Sequence, residues 1–498
     1  MTHYNPLLAT DSYKASQFLQ YPAGTEYVFS YIESRGLDKQ SALRKSVEEV
    51  LGRDLTEEEF DEIRLMPRDL NYTTFFGLQA FLKKYLSTPF TQDDIDEAEK
   101  KWTAHGEPFN REGWEYVLKK HNGYMPVVIK AVPEGTNVPH LNVLTTVENT
   151  DPKCGFVTSY LETVLVRAAW YPTTVATISN YVRRVIYRYL EETCDDPDNN
   201  ISFKLHDFGG RGVSSKESAQ LGGMAHLVNF LGTDTMEAVE AMAEFYGEEM
   251  AGFSIPASEH STMTSWGQEN EYDAFENMLN QFLGEGKVVA CVSDSYDIYE
   301  ACDAWGTRFK ERIEESGGVV VVRPDSGDVV QVVLEVIQRL EKHFGTTVNS
   351  KGYKVLPPYI RVIQGDGCTI KSIPKICENL KQHGYSIENT AFGMGGGLLQ
   401  KLDRDTFKWA MKCSSIVVNG EERPVFKDPI TDPGKVSKKG RLTLVKNLDT
   451  GEYKTVKAPL IHGHRCAAEQ LRVVFRDGTL VKDYTLAEIR ERAIEPLF

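Results

Sequence analysis

Cysteine pairs, nucleotide-binding fingerprints and a basic excess are all missing from this sequence. Its 8 cysteines include no Cys-x-x-Cys and no paired spacing, so neither a zinc site nor a disulfide framework is indicated. No Walker A, dinucleotide-binding or His-Glu-x-x-His motif occurs, which leaves hydride transfer and zinc chemistry without support. The formal net charge of −16 disfavours nucleic acid and anionic membranes as partners, because both would be repelled.

The amino terminus also lacks a basic region followed by an apolar core, so it does not read as a secretory signal. Together with the scattered cysteines, this predicts a cytoplasmic location in a reducing compartment. A chain of 498 residues with 41% hydrophobic content is typical of a globular protein with a large core. We expect two domains or one large elaborated domain.

Residues 317–328 predict the central strand of the fold. Four consecutive valines lack the alternation of a half-exposed strand and are too few for a membrane span, so the strand should be parallel and buried on both faces. Pro324 ends it and leaves Arg323 and Asp325 at the carboxyl edge, where α/β folds bind ligands. Arg323 suits an anion, and Asp325 suits a sugar hydroxyl or metal-bound water. The structural alternative is an Arg-Asp pair that only caps a loop.

A repeat of short apolar strand, polar loop and amphipathic helix follows the first third of the chain. Its strand-and-loop segments are 203–211, 227–234, 253–260, 288–294, 319–325, 360–367 and 390–397. About seven βα steps predict an α/β fold with an irregular β/α barrel whose polar clusters share one end. A doubly wound sheet is the alternative fold.

We expect three segments along the chain. An N-terminal α+β domain spans residues 1–151, the barrel-like domain spans 152–404, and a C-terminal segment at 405–498 packs with the N-terminal domain to complete it. A charged insert at 38–68 is expected to be peripheral. Residues 156–193 predict a long helical stretch interrupted at Pro172, because a proline inside a helix removes a hydrogen bond and clashes with the preceding turn.

Glycine-rich turns at two strand ends predict a phosphate site. Residues 393–397 offer several backbone N–H groups to one anion, because glycine permits close approach. In residues 365–367 a carboxylate stands between two glycines, as a clamp on ribose hydroxyls would. Arg211 and Arg323 could grip further phosphates.

Three further strand-end residues are candidates, each with a structural alternative. Phe208 lies beside a cation and suits a flat ring next to a phosphate, but could equally be core packing. Asp234 is an acceptor without a partner in the sequence, or the N-cap of a helix starting near residue 235. His260 either faces phosphates as a titratable group or is a satisfied buried histidine.

Taken together, these motifs resemble the nicotinamide phosphoribosyltransferase family of type II phosphoribosyltransferases. The resemblance covers nearly the whole chain and leaves out the insert at 38–68. It rests on Leu-Leu-Ala-Thr-Asp-Ser-Tyr-Lys at 7–14, Val-Glu-Asn-Thr-Asp-Pro at 147–152, Lys-Leu-His-Asp-Phe-Gly at 204–209, His-Leu-Val-Asn-Phe at 226–230, Ser-Asp-Ser-Tyr-Asp-Ile-Tyr at 293–299, Arg-Val-Ile-Gln-Gly-Asp-Gly at 361–367 and Gly-Gly-Gly-Leu-Leu-Gln-Lys-Leu at 395–402.

The resemblance implies phosphoribosyl transfer from 5-phosphoribosyl 1-diphosphate to nicotinamide, with Mg²⁺, in the salvage of NAD. It also implies ATP as a co-substrate that phosphorylates His260, and a homodimer with shared active sites. No nucleic acid or membrane partner is expected.

The site residues that the resemblance implies fall into three groups. The pyridine ring would lie between Phe208 and Tyr13 of the partner subunit, with its carboxamide on Asp234. The diphosphate and ribose phosphate would be bound by Arg211, His260, Arg323, Asp325, Gly365, Asp366 and Gly396, with Arg404 reaching in from the partner, and Ser254 and Gly395 complete the substrate-binding set. Asp294 would lie near the Mg²⁺-diphosphate region, and His260, Arg323 and Asp325 are the expected catalytic residues.

Two departures from the family pattern bear on the substrate. Ala290 and Met394 stand where better-known members have serines, and a lost neutral hydrogen bond would weaken nicotinamide binding by about 1 kcal/mol. Nicotinate phosphoribosyltransferase activity is therefore kept as an alternative, although it should need a cation opposite the pyridine substituent in place of Asp234. A non-catalytic binding or signalling protein is the alternative from another class, and it would require export.

Overall fold

Two large sheets organise the structure, a computed structural model that describes residues 4–36, 41–64, 66–430, 436–458 and 467–497. The insert predicted at 38–68 falls partly outside these ranges, at residues 38–40 and 65. In chain order the strands are β1 (Thr25–Glu33), β2 (Tyr72–Thr74), β3 (Val127–Ala131), β4 (Asn137–Pro139), β5 (Val143–Asn149), β6 (Leu205–Asp207), β7 (Gly232–Thr233), β8 (Val288–Val292), β9 (Val319–Arg323), β10 (Thr347–Val348), β11 (Lys354–Val355), β12 (Ile360–Gln364), β13 (Thr390–Met394), β14 (Ala410–Val418), β15 (Glu421–Pro424), β16 (Leu442–Asn447), β17 (Tyr453–Lys457), β18 (Ala467–Glu469), β19 (Arg472–Arg476) and β20 (Thr479–Leu480).

The described helices surround these sheets. They are α1 (Ser41–Leu51), α2 (Glu57–Ile63), α3 (Leu78–Phe81), α4 (Gln92–His105), α5 (Arg111–His121), α6 (Gly155–Tyr160), α7 (Glu162–Thr193), α8 (Pro197–Ile201), α9 (Lys216–Leu227), α10 (Met236–Tyr246), α11 (His260–Thr264), α12 (Glu271–Phe282), α13 (Ile298–Gly306), α14 (Lys310–Glu315), α15 (Val329–Phe344), α16 (Ser372–Gln382), α17 (Gly396–Leu399) and α18 (Leu486–Ile494). Among the residues described, none of these helices combines the length and the apolar character needed to cross a membrane.

The parallel sheet is a curled barrel wall. Its strand order is β7-β6-β13-β12-β9-β8, and parallel bridges from residues 253 and 257 join the two edge strands, at Gly232 and Ala290. The amide of Ala290 donates to the carbonyl of Pro256 at 2.9 Å, and that of Phe253 donates to Leu231 at 2.7 Å. The segments that form this ring are the seven βα steps predicted from the sequence, so the irregular barrel is confirmed and the doubly wound alternative is wrong.

The valine run forms β9 in the middle of this wall. Val320 and Val322 are fully buried against the surrounding helices, whereas Val321 packs inside the barrel with Ala290 and Ile363. Both faces are therefore covered, which is why the run needs no polar alternation. The strand ends at Arg323, as predicted, because Pro324 cannot donate to the ladder.

The antiparallel sheet joins the two ends of the chain. Its order is β15-β14-β1-β5-β3-β19-β20, so three central strands from before residue 150 are flanked on each side by two strands from after residue 409. The side chain of Gln79 extends this link, because its Nε2 donates to the carbonyl of Tyr484 at 3.0 Å and its Oε1 accepts from the amide of Tyr484 at 2.7 Å. This confirms the predicted second α+β domain built from N-terminal and C-terminal segments; the exact boundaries at 151 and 404 stay predictions.

The predicted interruption of the long helix at Pro172 is wrong. Helix α7 runs through Pro172, and the break falls at Leu161, between α6 and α7. Pro172 is buried against Gly77, where a methyl group would come within 2.4 Å of the proline ring. The neighbouring Thr173 accepts from the amide of Phe76 at 3.2 Å and donates to its carbonyl at 3.1 Å. Tertiary packing therefore holds the helix together across the proline.

Candidate active site

The interior of the barrel is a cavity of about 1490 Å³. Its middle is apolar and is walled by Ala290, Val321, Ile363 and Ala391 together with the ring of Phe208. Polar and charged residues line the cavity at the carboxyl ends of the strands. A cavity with apolar walls and a few convergent polar groups is the usual form of a small-molecule site.

Arg323 and Asp325 form an ion pair at the end of β9. Nη2 of Arg323 lies 3.1 Å from Oδ1 of Asp325, and both side chains are largely buried. The backbone of Gly365 packs directly on this pair, because a methyl group there would lie 3.0 Å from Nε of Arg323 and 3.0 Å from Oδ1 of Asp325. All three residues line the cavity, so the predicted grouping of the β9 and β12 loops is present.

His260 lies between two carboxylates. Its Nε2 is 3.5 Å from Oδ2 of Asp325 and 3.6 Å from Oδ1 of Asp294, while its Nδ1 is 3.1 Å from the hydroxyl of Ser295. Because 43% of the His260 side chain is exposed, the alternative of a buried satisfied histidine does not hold. The ring is therefore accessible to a ligand and has two carboxylates as neighbours.

Asp294 is positioned by the loop that follows β9. Its Oδ2 accepts from the amide of Asp325 at 2.9 Å and from the hydroxyl of Ser326 at 2.6 Å. Its Oδ1 is buried and accepts no hydrogen bond from the part of the chain that the structure describes. One carboxylate oxygen is thus fixed by the protein, and the other is left for a cation or a donor on a ligand.

The glycine-rich loop after β13 adjoins the loop after β6. Gly395, Gly396 and Gly212 line the cavity, and a methyl group at Gly212 would lie 3.9 Å from Gly396, so the two loops meet. The first amides of α17, which starts at Gly396, have no carbonyl within that helix to bond. Arg211 is exposed on the facing loop and forms no ion pair with any described residue. These groups together suit a phosphate.

The ring of Phe208 packs directly against the backbone of Gly393. A methyl group at Gly393 would come within 2.0 Å of Cε2 of this ring, so glycine is required for the ring to take this position. The backbone of Phe208 is fixed by its amide, which donates to the carbonyl of Met394 at 3.1 Å. The ring therefore forms one wall of the cavity, where a planar substrate could stack.

Asp234 faces the cavity beside Ser254. The hydroxyl of Ser254 donates to Oδ1 of Asp234 at 2.6 Å, and both residues line the cavity. The alternative role of Asp234 as a helix cap is wrong, because α10 begins at Met236 with Thr235 as its N-cap. The pair presents acceptor oxygens, so this wall favours a ligand with N–H donors.

Tyr13 and Arg404 do not line this cavity in their own chain. Tyr13 is 55% exposed on the N-terminal segment, and Arg404 is exposed and pairs with Asp405 at 3.0 Å. Asp366 does line it, beside Gly365. The cavity of one chain is thus lined by every predicted substrate residue except Tyr13, Arg404 and His260. His260 lies next to the cavity, in contact with Asp325.

Three positioning residues escaped the sequence analysis. Ser295 contacts His260, Ser326 contacts Asp294, and Asp207 accepts from the amide of Gly209 at 2.7 Å at the start of the phosphate loop. Burial raises the pKa of Asp207 to about 6. Asp207 lies within the motif at 204–209, Ser295 directly follows Asp294, and Ser326 directly follows Asp325. Their positions next to predicted site residues were the only sign in the sequence that they take part in the site.

The two departures from the family pattern are both buried. Ala290 is part of the apolar wall, and Met394 is fully buried with its side chain next to Gly397. Neither side chain offers a conventional hydrogen-bond donor, so neither can take the place of a serine hydroxyl.

Family profiles match most of the chain. Residues 203–479 match the "Nicotinate phosphoribosyltransferase (NAPRTase) family", and residues 5–129 match "Nicotinamide phosphoribosyltransferase, N-terminal domain". The "Nicotinamide phosphoribosyltransferase" of Xanthomonas campestris is 49% identical over 495 residues, covering 99% of both chains. A protein of the same name from Acinetobacter baylyi is 31% identical over 526 aligned positions, covering 99% of this chain and 98% of its own.

Two solved structures share the fold. The nicotinate-nucleotide pyrophosphorylase of Pyrococcus furiosus has a TM-score of 0.62 at 14% identity, over 99% of this chain and 96% of that chain. Human nicotinic acid phosphoribosyltransferase has a TM-score of 0.50 at 15% identity, over 98% and 93% of the two chains.

Proposed function

The chain belongs to the nicotinamide phosphoribosyltransferase family, and from this we infer that it transfers the phosphoribosyl group of phosphoribosyl diphosphate to nicotinamide. The bond from the ribose C1 to the diphosphate oxygen breaks, and a bond from C1 to the pyridine nitrogen forms. The products are nicotinamide mononucleotide and diphosphate, and the reaction serves NAD salvage.

The observation that carries this assignment is the Asp234–Ser254 pair in the same cavity as Arg323 and the glycine-rich loop. A carboxylate accepts from the N–H groups of a carboxamide and repels the carboxylate of nicotinic acid. Asp234 forms no ion pair with any residue that the structure describes, so no direct cationic partner offsets this preference. Nicotinamide is therefore the acceptor that the geometry favours.

The chemistry that the residues supply is electrostatic. Departure of diphosphate leaves an oxocarbenium-like ribose, so cations at the leaving group and carboxylates near the ring lower the barrier. We assign the first role to Arg211 and Arg323 and the second to Asp325 and Asp366. The pyridine nitrogen carries a lone pair and no proton, so no general base is needed. The wall formed by Phe208 orients the ring for attack.

Replacing Asp234 with asparagine should reduce the preference for nicotinamide over nicotinic acid by about tenfold or more, because the repulsive charge is removed. The measurement is kcat/KM for both acceptors. Ser254→Ala is the matched control, since it removes the neighbouring hydroxyl but keeps the charge, and it should retain the preference. A wild-type enzyme that uses both acceptors equally would contradict this role of Asp234.

We also propose that Mg²⁺ binds with the diphosphate at this site. The residues fit the ion, because Asp294 offers a buried carboxylate oxygen without a described partner, with Asp325 nearby. Mg²⁺ usually keeps several waters and takes one or two carboxylates plus substrate phosphates, so a full protein cage is not required. When bound, the ion would neutralise charge on the leaving diphosphate.

ATP coupling through His260 is a further proposal. The exposed ring lies within 3.5 to 3.6 Å of two carboxylates and beside the Arg323 loop, where phosphates are expected. A phosphate transferred to a ring nitrogen would add an anionic ligand for a Mg²⁺ ion at Asp294, in a place where the hydroxyl of Ser295 already orients the ring.

Incubation with ATP labelled at its γ-phosphate and Mg²⁺ should give an acid-labile phosphate on the protein, because phosphohistidine is a phosphoramidate. His260→Ala should lose the label, which is measured by autoradiography after alkaline gel electrophoresis. His383→Ala is the matched control, since His383 is exposed and, among described groups, its ring hydrogen-bonds only to the carbonyl of Asn379, which accepts from Nδ1 at 2.8 Å. Equal labelling of the His260→Ala protein would place the modification elsewhere.

A homodimer with shared sites is proposed because Tyr13 and Arg404 are exposed and absent from the cavity of their own chain. A partner subunit could supply both, with Tyr13 opposite Phe208. The described cysteines are all free, which fits the reducing cytoplasm that we propose as the enzyme's location.

A further inference from the structure

A second cavity lies outside the barrel, between helices α7, α9 and α10 and the segment at residues 78–86. It measures about 160 Å³ and shares no lining residue with the barrel cavity. This volume is close to that of an engineered apolar cavity of about 150 Å³ that binds benzene. The second cavity is therefore large enough for one aromatic ring with a small substituent.

Aromatic side chains form its wall. The ring centroids of Tyr4 and Tyr85 are 4.5 Å apart, and those of Phe81 and Tyr85 are 5.4 Å apart, both tilted by 47°. Buried Met224 and Ala168 form part of the apolar remainder. Tilted rings around a narrow space favour an aromatic guest over an aliphatic one, because edge-to-face and stacked contacts add to the burial of apolar surface.

The rim of the cavity carries two cations, Lys84 and Arg167, and one carboxylate, Glu217. Lys84 is already paired, since its Nζ lies 2.9 Å from Oε1 of Glu217, which also accepts from the hydroxyl of Tyr85. Burial opposes ionisation of Glu217, but these two hydrogen bonds outweigh it and lower the pKa of this carboxyl. Arg167, in contrast, is exposed on α7 and has no hydrogen bond or ion pair with any residue that the structure describes.

We propose that this cavity binds a small aromatic carboxylate. The ring would lie against Tyr4, Tyr85 and Phe81, and the carboxylate would accept two parallel hydrogen bonds from the guanidinium of Arg167. Because the hydrogen bonds from Tyr85 and Lys84 favour the ionised form of Glu217, this carboxylate stays beside the site as a fixed anion and disfavours a second negative charge on the ligand. A monocarboxylate is thus preferred to a dicarboxylate.

The test uses para-fluorobenzoate as the probe, with the full-length protein, and follows the line width of its fluorine NMR signal. We expect saturable broadening that Arg167→Gln weakens by about tenfold or more, because the charged contact is lost. Leu221→Trp, which fills the cavity, should abolish it. Arg188→Gln is the matched control: Arg188 is exposed on the same helix, roughly 30 Å along its axis from Arg167, and should leave binding unchanged.

Phe208→Ala distinguishes this cavity from the barrel. If broadening is lost in Phe208→Ala and kept in Arg167→Gln, the probe binds in the barrel and the proposal is wrong. Equal binding by wild type and Arg167→Gln, or no saturable binding by wild type, also overturns it. Para-fluorobenzamide, the neutral analogue, should bind the second cavity at least about tenfold more weakly. Should Leu221→Trp fail to fold, as judged by its melting temperature, the Arg167→Gln comparison decides alone.

Discussion

Replacing Arg323 with alanine should lower kcat/KM by about a thousandfold while the protein still folds. Arg323 lies at the end of β9, where its guanidinium lines the cavity. The side chain is fixed by an ion pair with Asp325 at 3.1 Å and by packing against the backbone of Gly365. In the proposed reaction, a contact of Arg323 with the leaving diphosphate would strengthen as the C1–oxygen bond breaks, so the loss should appear mainly in kcat. Steady-state kinetics with saturating nicotinamide measure it.

Two variants control for charge and for folding. Arg323→Lys keeps the positive charge but loses the planar fork, and should fall between wild type and Arg323→Ala. Arg308→Ala removes an exposed arginine that pairs at 3.0 Å with Asp273 and Glu276, and should leave kinetics unchanged. If Arg323→Ala kept wild-type kinetics and only lowered the melting temperature, the Arg323–Asp325 pair would only cap a loop and would not bind the substrate.

Mixing two inactive variants should restore about a quarter of wild-type activity if active sites are built across a two-fold dimer. Tyr13→Ala and Arg323→Ala are each expected to be nearly inactive, the first because an exposed ring outside its own cavity would complete the partner's site. When the two are unfolded and refolded together, about half of the dimers are mixed, and each mixed dimer has one site with both lesions and one with neither.

The control for this mixing experiment uses two variants that damage the same wall, Phe208→Ala and Arg323→Ala. Both residues line the cavity of one chain, so every site in a mixed dimer carries one lesion and no activity should return. Absence of recovery with Tyr13→Ala, once mass spectrometry has confirmed mixed dimers, would place Tyr13 in the site of its own chain or outside any site.

Local chemistry explains what the sequence could predict. The four valines specify a strand buried on both faces, and Pro324 specifies where it stops, so the positions of Arg323 and Asp325 at a sheet edge follow from the chain itself. The carboxyl ends of parallel strands meet at one end of a barrel, which brings the loops at residues 365–367 and 393–397 to the same cavity.

Tertiary contacts explain what could not be predicted. Helix α7 continues through Pro172 because residues almost a hundred positions earlier contact it. The proline ring packs against Gly77, and the side chain of the neighbouring Thr173 hydrogen-bonds to the backbone of Phe76. The pairing of Asp234 with Ser254, likewise, depends on the bridge of residues 253–257 to both edges of the barrel. Neither contact has a local signal, because each joins segments that only the closed fold brings together.

A comparison of two acceptors with the purified protein distinguishes nicotinamide from nicotinate phosphoribosyl transfer. Phosphoribosyl diphosphate and Mg²⁺ are supplied with either nicotinamide or nicotinic acid, with and without ATP, and the mononucleotide product is quantified by mass spectrometry. We predict that nicotinamide mononucleotide forms with a kcat/KM at least about a hundredfold higher than that for nicotinic acid, because Asp234 would accept from the carboxamide N–H groups and repel the carboxylate of nicotinic acid. Efficient formation of nicotinic acid mononucleotide, with little or no product from nicotinamide, would contradict the account.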